Sequence, residues 1–453
     1  MENVKEVPYG IANFVEVVEQ NMYYVDKTMY LPLLEKQPRN LFFIRPRRFG
    51  KSIFLSMLRA YYDITQKEKF DKRFGNLWIG NHPTPLQGKF QVVYLDFSRA
   101  SGGSGSLAEN FDRYCSMVMD IFGKAYEPYY YPGYAEEMKA QPDFVSKLNY
   151  LDLHSAEYAA KLYLIIDEYD NFTNVVLNEQ GNEVYHALTH ASGFYREIFK
   201  KFKGMFERIF MTGVSPVTLD DLTSGFNIGW NISTDHRFNM MLGFSETDVR
   251  IMFQYYKETG QLPADADIDA MIQEMKPWYD NYCFTEESLD HDPKIFNCDM
   301  VLYYLRNYMT LGKSPKEMID PNTRTDYNKM KKLIRLDKLD GNRKGVLRKI
   351  TEDGQIITTL TTTFPATDIT KPEIFPSLLF YYGMLTINGT RGPMNILSIP
   401  NQTVREQLYG YMIDIYKDSS GLNLEVEKLN ILMYEMAYEG DWNPYFEYIV
   451  ERL

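Results

Sequence analysis

Five short apolar runs in the first 244 residues have the length and the residue types of buried β-strands. They are residues 41–44, 91–96, 161–166, 208–212 and 239–244. Helical or polar stretches separate these runs, and buried strands that alternate with helices indicate a mainly parallel α/β sheet. Ligands of such sheets bind outside the carboxyl ends of the strands. The residues that follow each run are therefore the first candidates for a functional site.

From residue 245 the pattern changes to long helical stretches. Ser245 followed by acidic residues is typical of a helix start, because carboxylates near the positive end of a helix stabilise it. We therefore predict a first domain of residues 1–244 and a helical, lid-like domain of residues 245–325. For residues 326–418 we predict a winged-helix-like region, in which a helix, a two-stranded wing and a second helix follow one another. For residues 419–453 we predict a C-terminal helical segment that would begin a truncated domain.

Length and composition are typical of a globular protein with two or three domains. The chain has 453 residues, of which 45% are hydrophobic and 24% are charged. Its three cysteines lack the CxxC spacing of a zinc site and do not form a disulfide framework. No apolar run approaches the roughly 18 residues that cross a bilayer, and the N-terminus lacks the pattern of a signal peptide. We expect a cytoplasmic protein with no membrane partner.

A candidate phosphate-binding loop follows the first apolar run. Residues 45–52 read Arg-Pro-Arg-Arg-Phe-Gly-Lys-Ser and lead into an apolar helix, so strand, loop and helix occur in the order that such a loop requires. Gly50 lets main-chain N–H groups approach phosphate, Lys51 can reach the outer phosphates, and Ser52 can bind Mg²⁺. The full pattern has glycine where this chain has Arg45. The predicted nucleotide-binding residues are Arg47, Arg48, Phe49, Gly50, Lys51, Ser52 and Ile53.

Two carboxylates end the third apolar run. Asp167 would bind Mg²⁺ together with Ser52, and Glu168 would orient and deprotonate the attacking water, because it lies one residue further toward the γ-phosphate. Asp96 and Thr212 lie at the ends of neighbouring runs, so four polar strand ends surround one phosphate loop. The predicted catalytic residues are Glu168, Asp167, Lys51 and Thr212, the predicted metal ligands are Ser52 and Asp167, and the predicted ligands are ATP and Mg²⁺.

Several of these side chains have two interpretations from sequence. Thr212 either senses the γ-phosphate or caps the turn that follows it, and the two are equally supported. Arg47 and Arg48 either clamp phosphate or pair with a neighbouring acidic residue, because the planar guanidinium suits both. Arg208 and Arg237 are further candidates to stabilise charge in a transition state, and nothing in the sequence selects one of them.

Charge and aromatic clusters do not favour nucleic acid as a partner. The formal net charge of −12 argues against non-specific nucleic-acid binding by the whole surface. Residues 329–349 hold nine Lys or Arg against two Asp, and we favour a solvated helical face there over a contact with phosphate or an acidic partner. For the tyrosine-rich residues 126–134 we favour a packed, proline-bent loop over a stacking platform for bases. Nucleic acid is therefore left open as a partner but is not favoured.

Over roughly residues 7–410 the chain resembles the AAA-ATPase-like family of bacterial P-loop proteins. The motifs that carry the resemblance are residues 7–11, 23–28, 45–52, 164–170, 212–216 and 224–228. The family's own loop has arginine at the position of Arg45, so the missing glycine is shared with the family. The resemblance implies a P-loop ATPase core of the additional-strand type, related to archaeal ATPases with a helical and winged-helix extension.

The resemblance also bears on function, because many members of the family carry a C-terminal PD-(D/E)XK nuclease-like domain. The motifs of that domain do not occur before Leu453, so we expect no nuclease activity of these residues and a chain that is truncated or belongs to a shorter branch. The leading hypothesis is a Mg²⁺-dependent ATPase or ATP-driven switch that controls a protein partner or a nuclease-like module. The alternatives are a non-hydrolysing nucleotide-binding scaffold, which Arg45 mildly favours, and a DNA-associated ATPase that uses the winged-helix-like region.

Overall fold

A five-stranded parallel sheet lies at the centre of the chain. The structure, a computed structural model, describes residues 4–100, 106–171, 194–216, 229–290, 294–322, 343–365, 368, 371–420 and 425–452. The strands of the central sheet are β1 (Asn40–Ile44), β2 (Gln91–Asp96), β3 (Leu162–Asp167), β4 (Arg208–Gly213) and β5 (Trp230–Asn231). Their order is β2-β3-β4-β1-β5, and every pairing is parallel. Because β4 lies between β1 and β3, the sheet has the additional-strand arrangement that the resemblance implied.

Helices cover the central sheet, which explains why its inner strands are mainly apolar. All residues of β1 and β3 are buried, as expected where both faces of a parallel sheet are covered. Among its described residues, this part of the chain forms the helices α1 (Phe14–Glu19), α2 (Leu31–Glu35), α3 (Lys51–Tyr62), α4 (Phe70–Phe74), α5 (Leu107–Tyr126), α6 (Tyr134–Ala140), α7 (Phe144–Glu157) and α8 (Phe194–Met205).

The prediction of a strand at residues 239–244 is wrong. Residues 239–243 form turns and bends, Phe244 makes an isolated antiparallel bridge with Phe296, and the edge strand is the two-residue β5 instead. Met241 and Leu242 are buried, so their apolar character reflects packing into the core from a turn. Gly243 has a φ of +81°, a backbone conformation outside the strand region. A buried apolar run of this length therefore does not require strand pairing.

In the part of the chain described after the sheet, three helices contribute to a second hydrophobic cluster. They are α9 (Glu246–Glu258), α10 (Ile268–Tyr279) and α11 (Cys298–Leu311). Ser245 caps α9 in a capping box, with its side chain accepting from the N–H of Asp248 and the Asp248 carboxylate accepting from the N–H of Ser245. The predicted helix start at residue 245 is therefore observed.

Among the described residues after 342, the predicted helix, strand pair and second helix are present, and the winged-helix-like assignment itself stays a prediction. The elements described there are α12 (Arg343–Asp353), β6 (Gln355–Thr358), α13 (Phe375–Tyr381), β7 (Thr386–Arg391), β8 (Met394–Ser398) and α14 (Gln402–Ser420), followed by α15 (Val426–Tyr434) and α16 (Asn443–Arg452). The three strands form an antiparallel sheet in the order β6-β8-β7, so the sequence prediction of two strands missed β6. Buried side chains of α12 and α13 belong to the same hydrophobic cluster as the central sheet. The boundaries at residues 244, 325 and 418 stay predictions.

The other predicted segments fall partly outside the described residues. Residues 224–228 and most of the basic window 329–349 lie outside them. The tyrosine-rich loop is described and is packed: the rings of Tyr130 and Tyr134 are stacked with their centroids 4.0 Å apart. In the part of the chain that the structure describes, no helix combines the length and the apolar character needed to span a membrane.

Gly213 at the end of β4 leads to a stability prediction. A Cβ atom at this position would lie 2.6 Å from Cε1 of Tyr169 and against the Asp170 carboxylate. Gly213→Ala should therefore lower the free energy of unfolding by about 1–3 kcal/mol, since overpacking forces its neighbours to move. Gly204→Ala in α8 is the matched control: a Cβ there meets nothing within 4 Å, and stability should stay equal or rise by up to about 1 kcal/mol. Urea unfolding of both variants checks this, and equal midpoints would contradict it.

Candidate nucleotide-binding site

The phosphate loop connects the buried end of β1 to the N-terminus of α3. Gly50 precedes the helix with a φ of +87°, and no side chain caps the first turn. Arg48 is also left-handed, with a φ of +64°, which is uncommon for a residue with a Cβ and is typical of loops at functional sites. An uncapped helix start with a glycine before it can offer main-chain N–H groups to an anion.

Lys51 lies buried under this loop. Its ammonium group donates hydrogen bonds to the carbonyl oxygens of Arg45, at 3.0 Å, and of Pro46, at 2.8 Å. Burial lowers the pKa of Lys51, and the nearby carboxylates of Glu168 and Asp167 oppose that shift. The lysine is therefore held by its own loop, next to the helix start and with two carboxylates near it.

Ser52 and Asp167 meet although they are far apart in sequence. The Ser52 hydroxyl donates a 2.6 Å hydrogen bond to Oδ2 of Asp167. Burial raises the pKa of Asp167 to about 6, while the hydrogen bond from Ser52 and the charge of Lys51 act in the opposite direction. Asp96 lies opposite Asp167 in the β2–β3 register, and its side chain accepts from Ser98 and pairs with Arg99. Asp96 therefore lies beside Asp167 at the carboxyl end of the sheet, and its side chain stabilises the turn that follows β2.

Glu168 follows directly and faces a cavity. Its φ is +49°, and its N–H donates to Oδ1 of Asp167 at 2.9 Å. The left-handed conformation turns the chain sharply at the end of β3. Among the described residues, no hydrogen bond or ion pair engages the Glu168 carboxylate, which leaves it available to a ligand.

A cavity of about 480 Å³ lies beside the phosphate loop, within the usual range for small-molecule sites. One wall is the loop and the first turn of α3, together with Glu168. The other walls come from five segments distant from the loop in sequence. Two lie near the N-terminus (residues 8–12 and 23–27), one is the turn after β5 (residues 241–244), and two are the helices α9 and α11, through Met252, Cys298, Asp299 and Leu302. The site is thus built from the sheet domain and the helical region together.

Of the two loop arginines, Arg48 pairs with an acidic residue. Its Nη1 lies 2.5 Å from Oδ2 of Asp299 in α11, and its Nη2 donates to the carbonyl oxygen of Asn322 at 2.7 Å. Asp320, which is buried, lies 4.0 Å from the same guanidinium. Arg47 lines the cavity and is close enough to Lys51 to lower its pKa. Of the two interpretations, the acidic pair describes Arg48, and the phosphate contact of Arg47 stays a prediction.

Phe49 and Ile53 complete the predicted nucleotide-binding set. The ring of Phe49 is buried and packs edge-on against Tyr282 and Phe284, and its carbonyl accepts from the N–H of Gly243. Phe49 therefore anchors the loop to the turn that replaces the fifth predicted strand. Ile53 lies in the first turn of α3 and lines the cavity.

Thr212 lies at the end of β4, near the site, but it does not reach the surface of the cavity. It is fully buried, and among the described residues its Oγ1 has no hydrogen-bond partner. It does not line the cavity, so both of its interpretations stay open. Arg208 and Arg237 lie elsewhere: Arg208 donates to the carbonyl of Glu35, and Arg237 is half-exposed and pairs with Asp235.

Asp170 connects the ends of β3 and β4. Its buried carboxylate accepts from the N–H groups of Val214 and Ser215, and the Tyr169 hydroxyl donates to the carbonyl of Ser215. Burial raises the pKa of Asp170. These contacts fix the turn after Thr212 relative to the carboxylates of Asp167 and Glu168.

Sequence reasoning found the loop and the strand ends but missed the far wall of the cavity. Asp299 and Cys298 were not singled out, although the Cys298 thiol donates to the carbonyl of Arg48 at 3.1 Å. No local pattern marks them, because each is an ordinary residue at the start of α11. The turn at residues 241–244 had an apolar signal, which was read as a strand.

The chain matches known proteins over the part that holds this site. Residues 8–223 match the model of a family described as Predicted AAA-ATPase. This region is similar to the AAA-ATPase-like family. It contains the loop, both strand-end carboxylates and Thr212, so the match covers the sheet side of the site.

A curated protein is similar to this chain at low sequence identity. A curated protein of Azotobacter chroococcum mcd 1, described as an uncharacterized protein in the vnfD 5′ region, is 26% identical over 300 residues, which cover 63% of this chain and 50% of that protein. The chain thus spans about half the length of this curated relative.

Among solved structures, the Aeropyrum pernix ORC2 protein in its ADPNP–ADP complexes has a TM-score of 0.32 at 10% identity and covers 87% of this chain and 93% of that one. The A. pernix ORC1 protein in complex with DNA has a TM-score of 0.28 at 10% identity, with 87% and 90% covered. Scores of this size describe at most a distant likeness of shape. The fold assignment of the AAA-ATPase region therefore depends on the strand order of this chain.

The buried Asp167 carboxyl leads to a pH prediction for the protein without divalent cations. A carboxyl whose pKa is about 6 when folded and about 4 when unfolded binds protons more tightly in the folded state. Its contribution therefore lowers stability as pH rises from about 4 past about 6. Relative to Asp167→Asn, the wild type should lose up to about 3 kcal/mol of unfolding free energy over this range.

Chemical unfolding of both proteins at a series of pH values in chelator tests this. Asp152→Asn, at an exposed position on α7, serves as the control and should follow the wild type. A difference between wild type and Asp167→Asn that is constant with pH would contradict the prediction.

Proposed function

We propose that this chain binds ATP with Mg²⁺ in the cavity beside the phosphate loop and hydrolyses it, acting as an ATPase or an ATP-driven switch. One observation carries the proposal: the hydroxyl of Ser52 and the carboxylate of Asp167 meet at 2.6 Å, directly beside Lys51 and Glu168. Each of these residue types has a defined task in phosphoryl transfer.

The residues present fit a magnesium ion. The Ser52 hydroxyl and the Asp167 carboxylate are oxygen donors, the ligands that Mg²⁺ prefers. In the described part of the chain no cluster of three or more His, Cys, Asp or Glu side chains is arranged as a metal site. An ion held by two protein groups and otherwise by phosphate and water is the arrangement expected for Mg²⁺. When bound, it would neutralise charge on the phosphates.

Lys51 and Glu168 would divide the remaining work. Lys51 would exchange the carbonyl oxygens of Arg45 and Pro46, which it contacts now, for phosphate oxygens. A phosphate is the stronger acceptor because it is charged. Glu168, whose carboxylate faces the cavity, would orient a water molecule and accept its proton. Arg47 would add positive charge near the outer phosphates.

The nucleoside end would lie against the far wall of the cavity. That wall is apolar at Tyr24, Val25, Met252 and Leu302, which suits a base and ribose better than it suits phosphate. Control of a protein partner or of a nuclease-like module is part of the proposal and is supported by the frequent fusion of family members to such a domain. A non-hydrolysing scaffold is the outcome that the turnover assay below would reveal.

Lys51→Ala tests the binding half of the proposal. Removing the ammonium group should weaken ATP binding about 10- to 100-fold, because hydrogen bonds to charged groups contribute about 1.5–3 kcal/mol. Calorimetric titration with ATP in Mg²⁺ measures this. Lys36→Ala, at an exposed lysine, should bind like the wild type. If Lys51→Ala does so as well, the loop is not the phosphate site.

Glu168→Gln tests the hydrolytic half. The amide cannot accept a proton, so phosphate release should fall about 10²- to 10⁴-fold while ATP affinity is retained. Glu157→Gln, at an exposed residue of α7, should keep full turnover. Retained turnover in Glu168→Gln would exclude it as the base. A wild type that binds ATP but releases no more phosphate than Lys51→Ala would instead identify the scaffold.

A further inference from the structure

Arg45 occupies the position of the first glycine of the phosphate-loop pattern, yet its side chain points away from the loop and into the core. Only 1% of the residue is exposed. Its Nη1 donates to the carbonyl oxygens of Ile44, at 2.9 Å, and Ser233, at 2.7 Å, and its Nη2 donates to that of Phe238 at 3.3 Å. The side chain therefore connects the end of β1 to the segment after β5.

Two aromatic rings enclose the same guanidinium. Its central carbon lies 4.2 Å from the ring centre of Phe43 and 4.2 Å from that of Phe284. Phe284 also packs against the loop residue Phe49 and against Phe380 of α13. The guanidinium is thus held between β1 and a segment that also contacts the winged-helix-like region.

A buried cation without an acidic partner is costly and calls for a physical reason. Among the described residues no carboxylate lies within ion-pair distance of Arg45, and its Nε has no hydrogen-bond partner. Burial lowers the pKa of Arg45 to about 9, which still leaves it charged at neutral pH. Apolar side chains of similar volume often replace buried charges without loss of stability, so global stability alone is a poor explanation for arginine here.

The main chain of Arg45 supplies the reason, because it contacts the catalytic parts of the proposed site. Its carbonyl oxygen accepts from the ammonium of Lys51 at 3.0 Å, and its N–H donates to the carbonyl of Gly213, next to Thr212, at 3.3 Å. Fixing the side chain of Arg45 therefore fixes the point at which the loop leaves β1 and the group that orients Lys51.

We infer that Arg45 is a positioning residue, which holds the first turn of the phosphate loop from behind by binding the 233–238 segment and the ring of Phe284. This inference rests on the proposed nucleotide site and adds a second way to build such a loop. Where the common pattern uses the conformational freedom of glycine, this chain uses a buried arginine that ties the loop to the core. Restoring the common glycine should therefore weaken the site.

Arg45→Gly is the decisive variant. It should raise the dissociation constant for ATP in Mg²⁺ about 10- to 100-fold, because the loop loses three hydrogen bonds and both ring contacts. Arg45→Lys keeps the charge but not the planar fork, so its affinity should lie between those of the glycine variant and the wild type. Titration calorimetry on the full chain, at a temperature where thermal melts show each variant folded, measures this.

A matched control separates positioning from general destabilisation. Arg73 in α4 is also buried, at 6% exposure, and its guanidinium binds Glu19 and Gln66, neither of which lines the cavity. Arg73→Gly should lower the melting temperature as Arg45→Gly does but keep the wild-type affinity for ATP. If the two glycine variants lose affinity equally, the effect is general and the inference is overturned.

Phe284→Leu provides a variant that leaves the loop sequence intact, in case Arg45→Gly does not fold. Losing one of the two enclosing rings should raise the dissociation constant several-fold, about 3- to 10-fold. Wild-type affinity in Arg45→Gly, or in Phe284→Leu where the glycine variant is unfolded, overturns the inference. Failure of the proposed function looks different: the wild type itself would then bind no ATP, or Lys51→Ala would bind it equally well.

Discussion

The position of β4 between β1 and β3 is the constraint on which the candidate site depends. Parallel strands end at the same edge of a sheet, and neighbouring strands are about 4.8 Å apart. Two such steps place the phosphate-loop strand and the carboxylate strand about 10 Å apart, with the end of β4 between them. The first turn of α3 lies across this gap, so the Ser52 hydroxyl can reach Asp167. The contacts of Asp170 with Val214 and Ser215 then hold β3 and β4 in this relation.

The sequence predicted the sheet where burial and strand pairing coincide. The runs at residues 41–44, 91–96, 161–166 and 208–212 are strands, because both faces of a parallel sheet exclude water and select apolar residues. The same logic failed at residues 239–244, which are apolar because they pack against the phosphate loop from a turn. It also failed for β5, since two residues at a sheet edge are too few to leave a pattern. An apolar run therefore indicates that its residues are buried, but it does not show that they pair with another strand.

In the candidate site, only the residues that belong to short sequence motifs could be predicted. Residues 45–52 and the Asp167–Glu168 pair could be found because their chemistry depends on a short motif after a strand. The partners of these residues could not: Arg48 pairs with Asp299 through a contact between distant parts of the chain. Arg45 shows the same limit. Read locally, it is a defect in a glycine pattern, and in three dimensions it is enclosed by Phe43 and Phe284.

The cavity walls have a consequence for the order of folding. They run from Pro8 to Leu302, so the site has very long sequence separations among its contacts. Closing such contacts costs chain entropy before it yields favourable packing. On a ribosome, the sheet domain emerges first and can collapse around its own core, but the cavity has one open side until α9 and α11 have been synthesised and docked. Completion of the pocket is thereby a late step in biosynthesis.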